Sequence, residues 1–289
     1  MQYRNVDNWK TEMKKISRER NLDIQDVQQR YVLEEFAERI GASKYAEMFV
    51  LKGGFVVSTL LGLDTRMTRD LDATYRSTIY DTQEMYRIIQ EIVDTQIDSF
   101  FEYSLKNLKI AQENDYYSGF IAEIEASRDT TRIKLKIDIS NNTLIFPNAL
   151  KSSLTSLFSN RHIHLQTYLI ENIIAEKFET TLDRGEYNTR MRDLFDVYLL
   201  LKENARMIDN SLLAQTIIMV SKDRDTVDNL EDCEDIIALL SESKIFNSNF
   251  ERYKDNQYPN SKVTLNDVFN QFRIINKIIE DYRKLNNVE

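Results

Sequence analysis

The sequence predicts an α+β fold in which a mixed sheet with flanking helices precedes an all-α part. Three segments between residues 101 and 140 alternate apolar and polar side chains, as strands with one buried face do. From Thr167 onward, apolar residues recur at helical spacing almost without interruption. Six glycines and two prolines in 289 residues are few, which favours long helices. We therefore predict an α/β domain over residues 1–165 and a helical domain over residues 166–289.

The first fifty residues predict helices, and a glycine pair follows them. Asn21-Leu22-Asp23 resembles a helix cap, and apolar residues follow at helical spacing from Val27 to Phe36. Gly41 is predicted to end that helix. An apolar run at residues 48–51 then leads into Lys52-Gly53-Gly54, after which Phe55–Leu63 is predicted to be helical.

The middle of the chain predicts one helix and then an antiparallel meander. Residues 82–98 have helical spacing, and strands are expected at 101–111, 117–127 and 131–140. Asn114-Asp115 and residues 127–129 are typical of the turns between these strands. Pro147 and the serine-rich segment 151–160 predict a loop. Further helices are expected near residues 211–221, 233–243 and 265–285.

Composition limits the possible settings of the protein. A net charge of −9 argues against a general nucleic-acid binder. Residues 128–192 nevertheless carry ten basic and seven acidic side chains, so a basic surface remains possible, as does an acidic surface for a basic partner. Cys233 is the single cysteine, and no apolar run approaches the roughly 18 residues of a membrane span. We expect a cytoplasmic protein without a membrane segment.

Asp70 and Asp72 are the first candidates for chemistry. They are two residues apart in a segment typical of a strand, so both carboxylates should point to one face. Mg²⁺ accepts one or two carboxylates and fills its other positions with water and phosphate oxygens. The Gly53-Gly54 turn could open a helix whose amides face a phosphate. Asp138 lies in a later predicted strand and is a candidate third ligand.

An alternative interpretation of these aspartates is structural. Asp70 could pair with Arg66 or Arg69, and Asp138 could pair with Lys136 or Arg132. A second constellation lies in the helical part, where Asp193 and Asp196 share a helix face sixteen or more residues after Lys177. By itself it indicates an ion pair between neighbouring helices, although a lysine there could also hold triphosphate oxygens as a point charge.

Taken together, these stretches resemble the AbiEii/MenT family of nucleotidyltransferase toxins. The family pattern is a Lys-Gly-Gly turn, an Arg-x-Thr-x-Asp-h-Asp strand (h, apolar), an Ala-Glu-Lys helix and an Arg-Asp-h-h-Asp helix. In this sequence the four motifs are residues 52–54, 66–72, 175–177 and 192–196, in the same order. Beyond about residue 205 the resemblance is one of helical character only.

The resemblance implies a polymerase-β-like nucleotidyltransferase fold and a set of site residues. Asp70, Asp72, Lys177 and Asp193 are the expected catalytic residues, with Asp70, Asp72 and Asp138 as metal ligands. The expected nucleotide-binding residues are Gly53, Gly54, Ser58, Arg69 and Lys177. Thr68, Arg192 and Asp196 are expected to have secondary roles. Because the motifs fall on both sides of residue 165, Lys177 and Asp193 are expected to complete the site from the helical domain.

The activity that the resemblance implies is Mg²⁺- or Mn²⁺-dependent transfer of a nucleoside monophosphate from an NTP, with the 3′ end of tRNA as the expected acceptor. This would block translation and growth in a phage-defence (abortive infection) toxin–antitoxin system. The expected partners are an AbiEi-type antitoxin and RNA, and the expected state is a monomer. A small-molecule or protein acceptor, or a non-catalytic nucleotide- or RNA-binding module, remains an alternative. The basic segment 184–192 could contact an RNA backbone or be a solvated connector.

Overall fold

The computed structural model describes residues 3–62, 67–77, 79, 81–113, 117–141 and 143–287. It divides into two compact units, which we call the sheet unit (Met1–Thr143 and Asn148–Tyr168) and the helical unit (Leu144–Pro147 and Leu169–Glu289). Among the described helices, none combines the length and apolar character needed to cross a bilayer.

A seven-stranded mixed sheet forms the centre of the sheet unit. Its strands are β1 (Phe49–Lys52), β2 (Asp70–Tyr75), β3 (Glu102–Glu113), β4 (Tyr117–Arg128), β5 (Thr131–Asn141), β6 (Leu150–Thr155) and β7 (His162–Thr167). They are ordered β3-β4-β5-β2-β1-β7-β6. The pairs β2–β5 and β1–β7 are parallel, and the other neighbours are antiparallel.

Eleven helices are described along the chain. They are α1 (Val6–Arg20), α2 (Ile24–Ala42), α3 (Gly53–Leu61), α4 (Thr82–Val93), α5 (Ile170–Arg184), α6 (Met191–Asn204), α7 (Asn210–Asp223), α8 (Asp228–Glu231), α9 (Cys233–Glu242), α10 (Lys244–Gln257) and α11 (Leu265–Asn286). A short 3-10 turn, Gly185–Tyr187, connects α5 to α6. The described secondary structure of the helical unit is entirely helical.

The predicted meander is confirmed. Strands β3, β4 and β5 pair antiparallel in sequence order, and Asp129 turns the chain between β4 and β5 with a positive φ of 50°. The predicted turn at Asn114-Asp115 lies outside the described residues, as do Leu63 and Arg66. Where the chain is described, the helix after the glycine pair ends at Leu61, with Gly62 as its C-cap.

Helix α2 begins as predicted but ends for a different reason. The Asp23 carboxylate accepts hydrogen bonds from the Gln25 and Asp26 amides and so caps the helix. Gly41 does not end the helix, because the helical backbone continues to Ala42. Its role is close packing: a Cβ at this position would overlap the carbonyl oxygen of His164 in β7. The prediction for Gly41 was therefore wrong, since the glycine serves a tertiary contact that local sequence does not reveal.

The serine-rich segment 151–160 is only partly a loop. Residues 150–155 form the edge strand β6, which pairs antiparallel with β7 from Leu150–Thr167 to Thr155–His162. The prediction of a loop was wrong here. An edge strand that is largely exposed can contain serines and need not contain apolar residues, so its composition resembles that of a loop. The turn between β6 and β7 occupies the later part of the segment.

Two buried glutamates on α2 accept hydrogen bonds from the connecting segments of the sheet unit. Glu34 accepts hydrogen bonds from Arg30 Nε at 2.8 Å and from Ser156 Oγ at 2.8 Å. Glu35 accepts the Phe100 amide at 2.7 Å and the Tyr103 hydroxyl at 3.1 Å. A buried carboxylate is stable only when such donors replace water, so these side chains stabilise the scaffold of the site.

Candidate functional site

The carboxylates predicted to bind metal lie on two neighbouring parallel strands, β2 and β5. In their register, Asp70 is opposite Lys136 and Asp72 is opposite Asp138. All four side chains share one face of the sheet because alternate residues of a strand point the same way. Leu71, between the two aspartates, is fully buried on the other face. The strand geometry predicted for the Asp-x-Asp motif is therefore confirmed.

The glycine turn lies directly against Asp72. Helix α3 begins at Gly53, which has a φ of +60°, and the Gly54 amide donates a hydrogen bond to Asp72 Oδ2 at 3.3 Å. A Cβ on Gly53 would lie 2.6 Å from Asp72 Cγ and would overlap the carboxylate oxygen. Glycine is needed here for both conformation and space. The two motifs thus form one structural feature, in which the helix terminus meets the carboxylate.

Replacing Gly53 with alanine is expected to destabilise the protein and displace Asp72. The left-handed conformation alone costs roughly 1–2 kcal/mol for a residue with a Cβ, and the contact with Asp72 adds to this cost. Gly62→Ala is the matched control, because Gly62 also has a positive φ, +82°, but a Cβ added there would have no other atom within 4 Å. Urea denaturation of both variants measures the difference. Destabilisation of Gly53→Ala by no more than the backbone cost of about 1–2 kcal/mol would show that Asp72 does not restrict this position.

Lys136 neutralises part of the carboxylate face. Its Nζ is 2.8 Å from either oxygen of Asp138. Burial lowers the pKa of Lys136, but the hydrogen bond and charge of Asp138, together with the charges of Asp70 and Asp72, raise it above its usual value. The ammonium therefore stays protonated beside three aspartates. The sequence raised Lys136 only as a possible ion-pair partner of Asp138, and the cross-strand register shows its wider electrostatic role.

The prediction that Asp138 joins Asp70 and Asp72 as a metal ligand stays a prediction. In the part of the chain that the structure describes, no three histidine, cysteine, aspartate or glutamate side chains converge as a metal site would require. The Asp138 carboxylate is bound by Lys136 instead. Its register position beside Asp72 made it a reasonable candidate, but a neighbouring lysine supplies the cation. Asp70 and Asp72 remain the carboxylate pair that suits Mg²⁺, which needs only one or two.

Lys177, Asp193 and Asp196 form a buried ionic cluster within the helical unit. Lys177 on α5 forms ion pairs with Asp193 Oδ1 and, at 3.0 Å, with Asp196 Oδ2 on α6. The side chains of Lys177 and Asp193 are 13% and 9% exposed, and Asp196 is fully buried. Asp193 and Asp196 are one helical turn apart, so both can reach a single ammonium from the neighbouring helix.

The cluster fixes the charge states of its members. Burial acts to lower the pKa of Lys177, but the charges of Asp196 and Asp193 outweigh it and raise the pKa above the usual value. Burial acts to raise the pKa of Asp193, but Lys177 and the nearby Arg190 and Arg192 lower it. Both groups are therefore charged at neutral pH. An ammonium has three N–H donors, so Lys177 keeps one beyond its two ion pairs.

The four motifs lie within a region that matches a known protein family. The sequence model of the AbiEii nucleotidyl transferase toxin family, from type IV toxin–antitoxin systems, matches residues 35–272. The chain belongs to the AbiEii family. The resemblance inferred from the four motifs is confirmed, and this AbiEii-family protein is a nucleotidyltransferase.

Two solved structures resemble the AbiEii-family enzyme at low sequence identity. One is a candidate nucleotidyltransferase from Helicobacter pylori, with 17% identity, a TM-score of 0.48 and coverage of 91% of this chain and 99% of the other. The second is JHP933 from Helicobacter pylori, with the same identity and TM-score and coverage of 92% and 97%. None of the curated proteins matches the sequence.

Ser58 of the AbiEii-family enzyme lies in the core of the sheet unit. It is fully buried, its hydroxyl donates to the Phe55 carbonyl at 2.7 Å, and it accepts a hydrogen bond from Arg30 Nη1 at 2.6 Å. This argues against the predicted nucleotide contact. Ser58 lies on the inner side of α3, and the position of a hydroxyl around a short helix is set by packing that the motif does not encode.

Arg69 and Thr68 support the strand that carries the aspartates. Arg69 forms an ion pair at 2.7 Å with Asp26 on α2, while its side chain remains 64% exposed. The Thr68 hydroxyl donates to the Asp70 carbonyl at 3.2 Å. The structure gives both residues local contacts around the start of β2. The nucleotide-binding role of Arg69 and the secondary role of Thr68 stay predictions.

Lys52 and Tyr168 lie near the aspartates, although the sequence motifs gave neither residue a role. Lys52 is opposite Asp72 in the register of β1 and β2, and its Nζ is 5.3 Å from the ring centroid of Tyr168. The Tyr168 hydroxyl is 2.9 Å from Thr74 Oγ1, which is also 2.6 Å from Thr143 Oγ1. Thr74 follows Asp72 by two residues and so continues the same face. A cationic and a hydroxyl group thus extend the polar face beyond the aspartates.

Arg192 is exposed in the first turn of α6, one residue before buried Asp193. Arg190 is also exposed and occupies the N-cap position, where no side chain caps the helix. Both guanidinium groups contribute to the lowered pKa of Asp193. The secondary role predicted for Arg192 thus has an electrostatic basis, as an exposed positive charge next to the ionic cluster.

Proposed function

We propose that this AbiEii-family nucleotidyltransferase transfers a nucleoside monophosphate from an NTP to RNA, with the 3′ end of tRNA as its acceptor. An acceptor hydroxyl attacks the α-phosphorus and releases its proton to solvent, the bond to the bridging oxygen breaks, and pyrophosphate leaves with the electron pair. The observation that carries this proposal is the contact between the glycine turn and Asp72. It brings a helix N-terminus, suited to phosphate, against an Asp-x-Asp strand, suited to a divalent cation.

Asp70 and Asp72 would hold Mg²⁺ or Mn²⁺. The donor set supports this, because hard cations prefer carboxylate oxygens and Mg²⁺ shares its site with substrate phosphates. When bound, the metal supplies charge neutralisation at the phosphates. Lys136 and Lys52, on the same sheet face, add positive charge that favours a polyanionic substrate. In this proposal Asp138 holds Lys136 in place rather than binding metal.

Gly53, Gly54 and Lys177 would bind the triphosphate. The first turn of α3 has backbone N–H groups without a helical partner, and the Gly54 amide, which donates to Asp72 in this structure, would turn to the phosphate when the triphosphate binds. Lys177 would act as a point charge through its remaining N–H donor, while Asp193 and Asp196 keep it protonated and oriented. Asp193 acts as the polar partner of Lys177 in the reaction. We therefore expect substitution of Lys177 to abolish activity as fully as substitution of Asp70.

The architecture supports a polymerase-β-like nucleotidyltransferase domain followed by an all-α domain. The mixed sheet carries the Asp-x-Asp strand in the sheet unit, and the described elements after β7 are helices. We place the boundary between the two proposed domains near residue 165, and the compact units divide after Tyr168. Membership of the family implies an antitoxin partner. We propose an AbiEi-type antitoxin, a monomeric toxin and a role in phage defence.

The decisive experiment offers the enzyme labelled NTPs, Mg²⁺ and a total tRNA pool. We expect label on RNA with the wild-type enzyme and none with Asp70→Asn, which removes the charge with little change in shape. Asp281→Asn, at an exposed position on α11, is the matched control and should remain active. Growth arrest on expression should follow the same order. Label on a protein or small molecule would replace RNA as the acceptor, and no label with any NTP would refute the transfer proposal.

A further inference from the structure

The helical unit contains a polar cleft that is separate from the ionic cluster. It has a volume of about 200 Å³ and lies between residues 189–191 and one face of α10. This is smaller than the roughly 300–1,000 Å³ of typical ligand pockets, so the cleft suits a small planar group such as one nucleobase rather than a whole nucleotide. The residues that α10 contributes follow a single stripe at helical spacing: Asn249, Arg252, Tyr253, Asn256 and Gln257.

The chemistry of the cleft suits the edge of a base. Three side-chain amides line it, and an amide offers a donor and an acceptor side by side, as base edges do. Asn249 Oδ1 accepts a hydrogen bond from Arg252 Nη2 at 2.9 Å, which orients the guanidinium plane. Tyr253 packs on Phe195 of α6 with ring centroids 5.4 Å apart, so the wall that it forms is held in place.

Two exposed arginines adjoin, in sequence, the residue by which α6 lines the cleft. Arg190 and Arg192 are exposed and flank Met191, which lines the cleft. The acidic residues of α10 lie elsewhere on the helix: Glu251 is paired with Lys254, and both Glu251 and Asp255 fall outside the lining stripe by helical geometry. On a chain with a net charge of −9, this local arrangement favours phosphates next to the base.

We infer that this cleft binds one nucleobase of a single-stranded RNA acceptor, with Arg190 and Arg192 contacting the adjoining phosphates. The inference rests on the proposed function and assigns part of its substrate recognition. Single-stranded RNA is read through splayed bases on amides, arginines and aromatic rings, and its backbone is held by basic side chains. Met191 precedes Asp193 by two residues, or about 3 Å along the axis of α6. The cleft and the ionic cluster therefore both involve the first turn of α6, on different faces of the helix.

The test compares RNA binding by wild type and by the double variant Arg252→Ala/Asn256→Ala in the absence of NTP. Fluorescence anisotropy is measured with a short labelled single-stranded RNA and with a ribose-phosphate strand of equal length that lacks bases. We expect the double variant to bind the RNA about tenfold more weakly and to lose most of the preference for RNA over the baseless strand. Lys222→Ala/Ser248→Ala, at exposed positions on α7 and α10, is the matched control.

Each outcome decides a separate question. Unchanged RNA affinity in the double variant overturns the cleft assignment, even if the enzyme transfers nucleotides to RNA. An equal loss on RNA and on the baseless strand overturns base recognition in favour of phosphate contact alone. Weaker NTP binding with intact RNA binding would assign the cleft to the donor nucleotide and overturn its role for the acceptor. Base-dependent RNA binding without any transfer would retain the cleft and refute the proposed function.

Discussion

Replacing Lys177 with methionine is expected to reduce nucleotidyl transfer by about a thousandfold or more. Removing one preorganised charge from a site of developing negative charge typically costs 10²- to 10³-fold, and more in phosphoryl transfer. Methionine approximates the length of the lysine stem but cannot carry charge. Steady-state transfer of labelled NTP to RNA measures the loss. Activity within tenfold of wild type in a folded Lys177→Met protein would contradict the triphosphate-binding role.

Loss of structure must be separated from loss of chemistry in that experiment. Without Lys177, the carboxylates of Asp193 and Asp196 are buried without their cation, and breaking a buried pair in this way costs about 3–5 kcal/mol. The double variant Lys177→Met/Asp196→Asn removes the fully buried charge and should recover much of the stability while staying inactive. Lys202→Met, on α6 with its Nζ 3.5 Å from the Tyr198 hydroxyl, is the control lysine and should stay active.

The stabilising effect of the cluster should depend on pH in a defined way. The pKa of Lys177 is raised on folding, so its contribution is complete below the ordinary lysine value and is lost only as pH rises through the folded value. The pKa of Asp193 is lowered, so its contribution is complete above the ordinary aspartate value and is lost as pH falls through the folded value. Urea denaturation of the wild type should therefore show no loss of the contribution of the cluster between about pH 5 and 9, and a loss as the pH falls below about 4. A maximum near pH 7 would implicate another group.

Sequence patterns anticipated those features that depend on local periodicity. Alternation over residues 101–140 predicted β3, β4 and β5, and in β4 and β5 the alternation corresponds to one buried face. The same rule put Asp70 and Asp72 on one side of β2. Asp23 was identified as a cap because its side chain satisfies amides only two and three residues away. In each case the determining contacts lie within a few residues or within one strand.

Features that depend on tertiary contacts were not available from the sequence. Gly41 resembled the end of a helix, but its small size lets the backbone of His164, more than a hundred residues later, pack closely against it. Ser58 resembled a hydroxyl beside a phosphate loop, but Arg30 and the Phe55 carbonyl hold it in the core. Lys136 and Asp138 are two apart on one strand, and only their register with β2 shows that the lysine shares the face of Asp70 and Asp72. Strand order and register, rather than residue type, decide these roles.

The cleft on α10 illustrates the same limit in the helical unit. Its helix was not among those predicted, because Phe246 and Phe250 are its only fully buried side chains and a stripe that sparse is a weak helical signal. The amides that line the cleft are polar residues on one face of α10 and add nothing to its apolar pattern. Their convergence with residues 189–191 follows from the packing of α10 against the 3-10 turn and α6.

Replacing Asp72 with asparagine is expected to abolish transfer, by about a thousandfold or more, with little change in fold. The asparagine oxygen can still accept the hydrogen bond from the Gly54 amide, and the side chain keeps its size beside Gly53. Only the negative charge is lost, and with it the proposed binding of a divalent cation. Circular dichroism and urea denaturation should resemble those of wild type, while labelled transfer and growth arrest disappear.

Asp138→Asn is the informative comparison, because Asp138 lies beside Asp72 on the same face but is neutralised by Lys136. If Asp70 and Asp72 alone hold the metal, this variant should keep activity within about tenfold of wild type. Any loss would then come from a displaced Lys136 and not from a lost metal ligand. A thousandfold loss in both variants, together with a raised Mg²⁺ requirement in Asp138→Asn, would restore Asp138 as a third ligand. It would mean that the ion pair with Lys136 opens when substrate and metal bind. The contrast between two adjacent carboxylates, one held by a lysine and one against the glycine turn, therefore decides how many ligands the sheet provides.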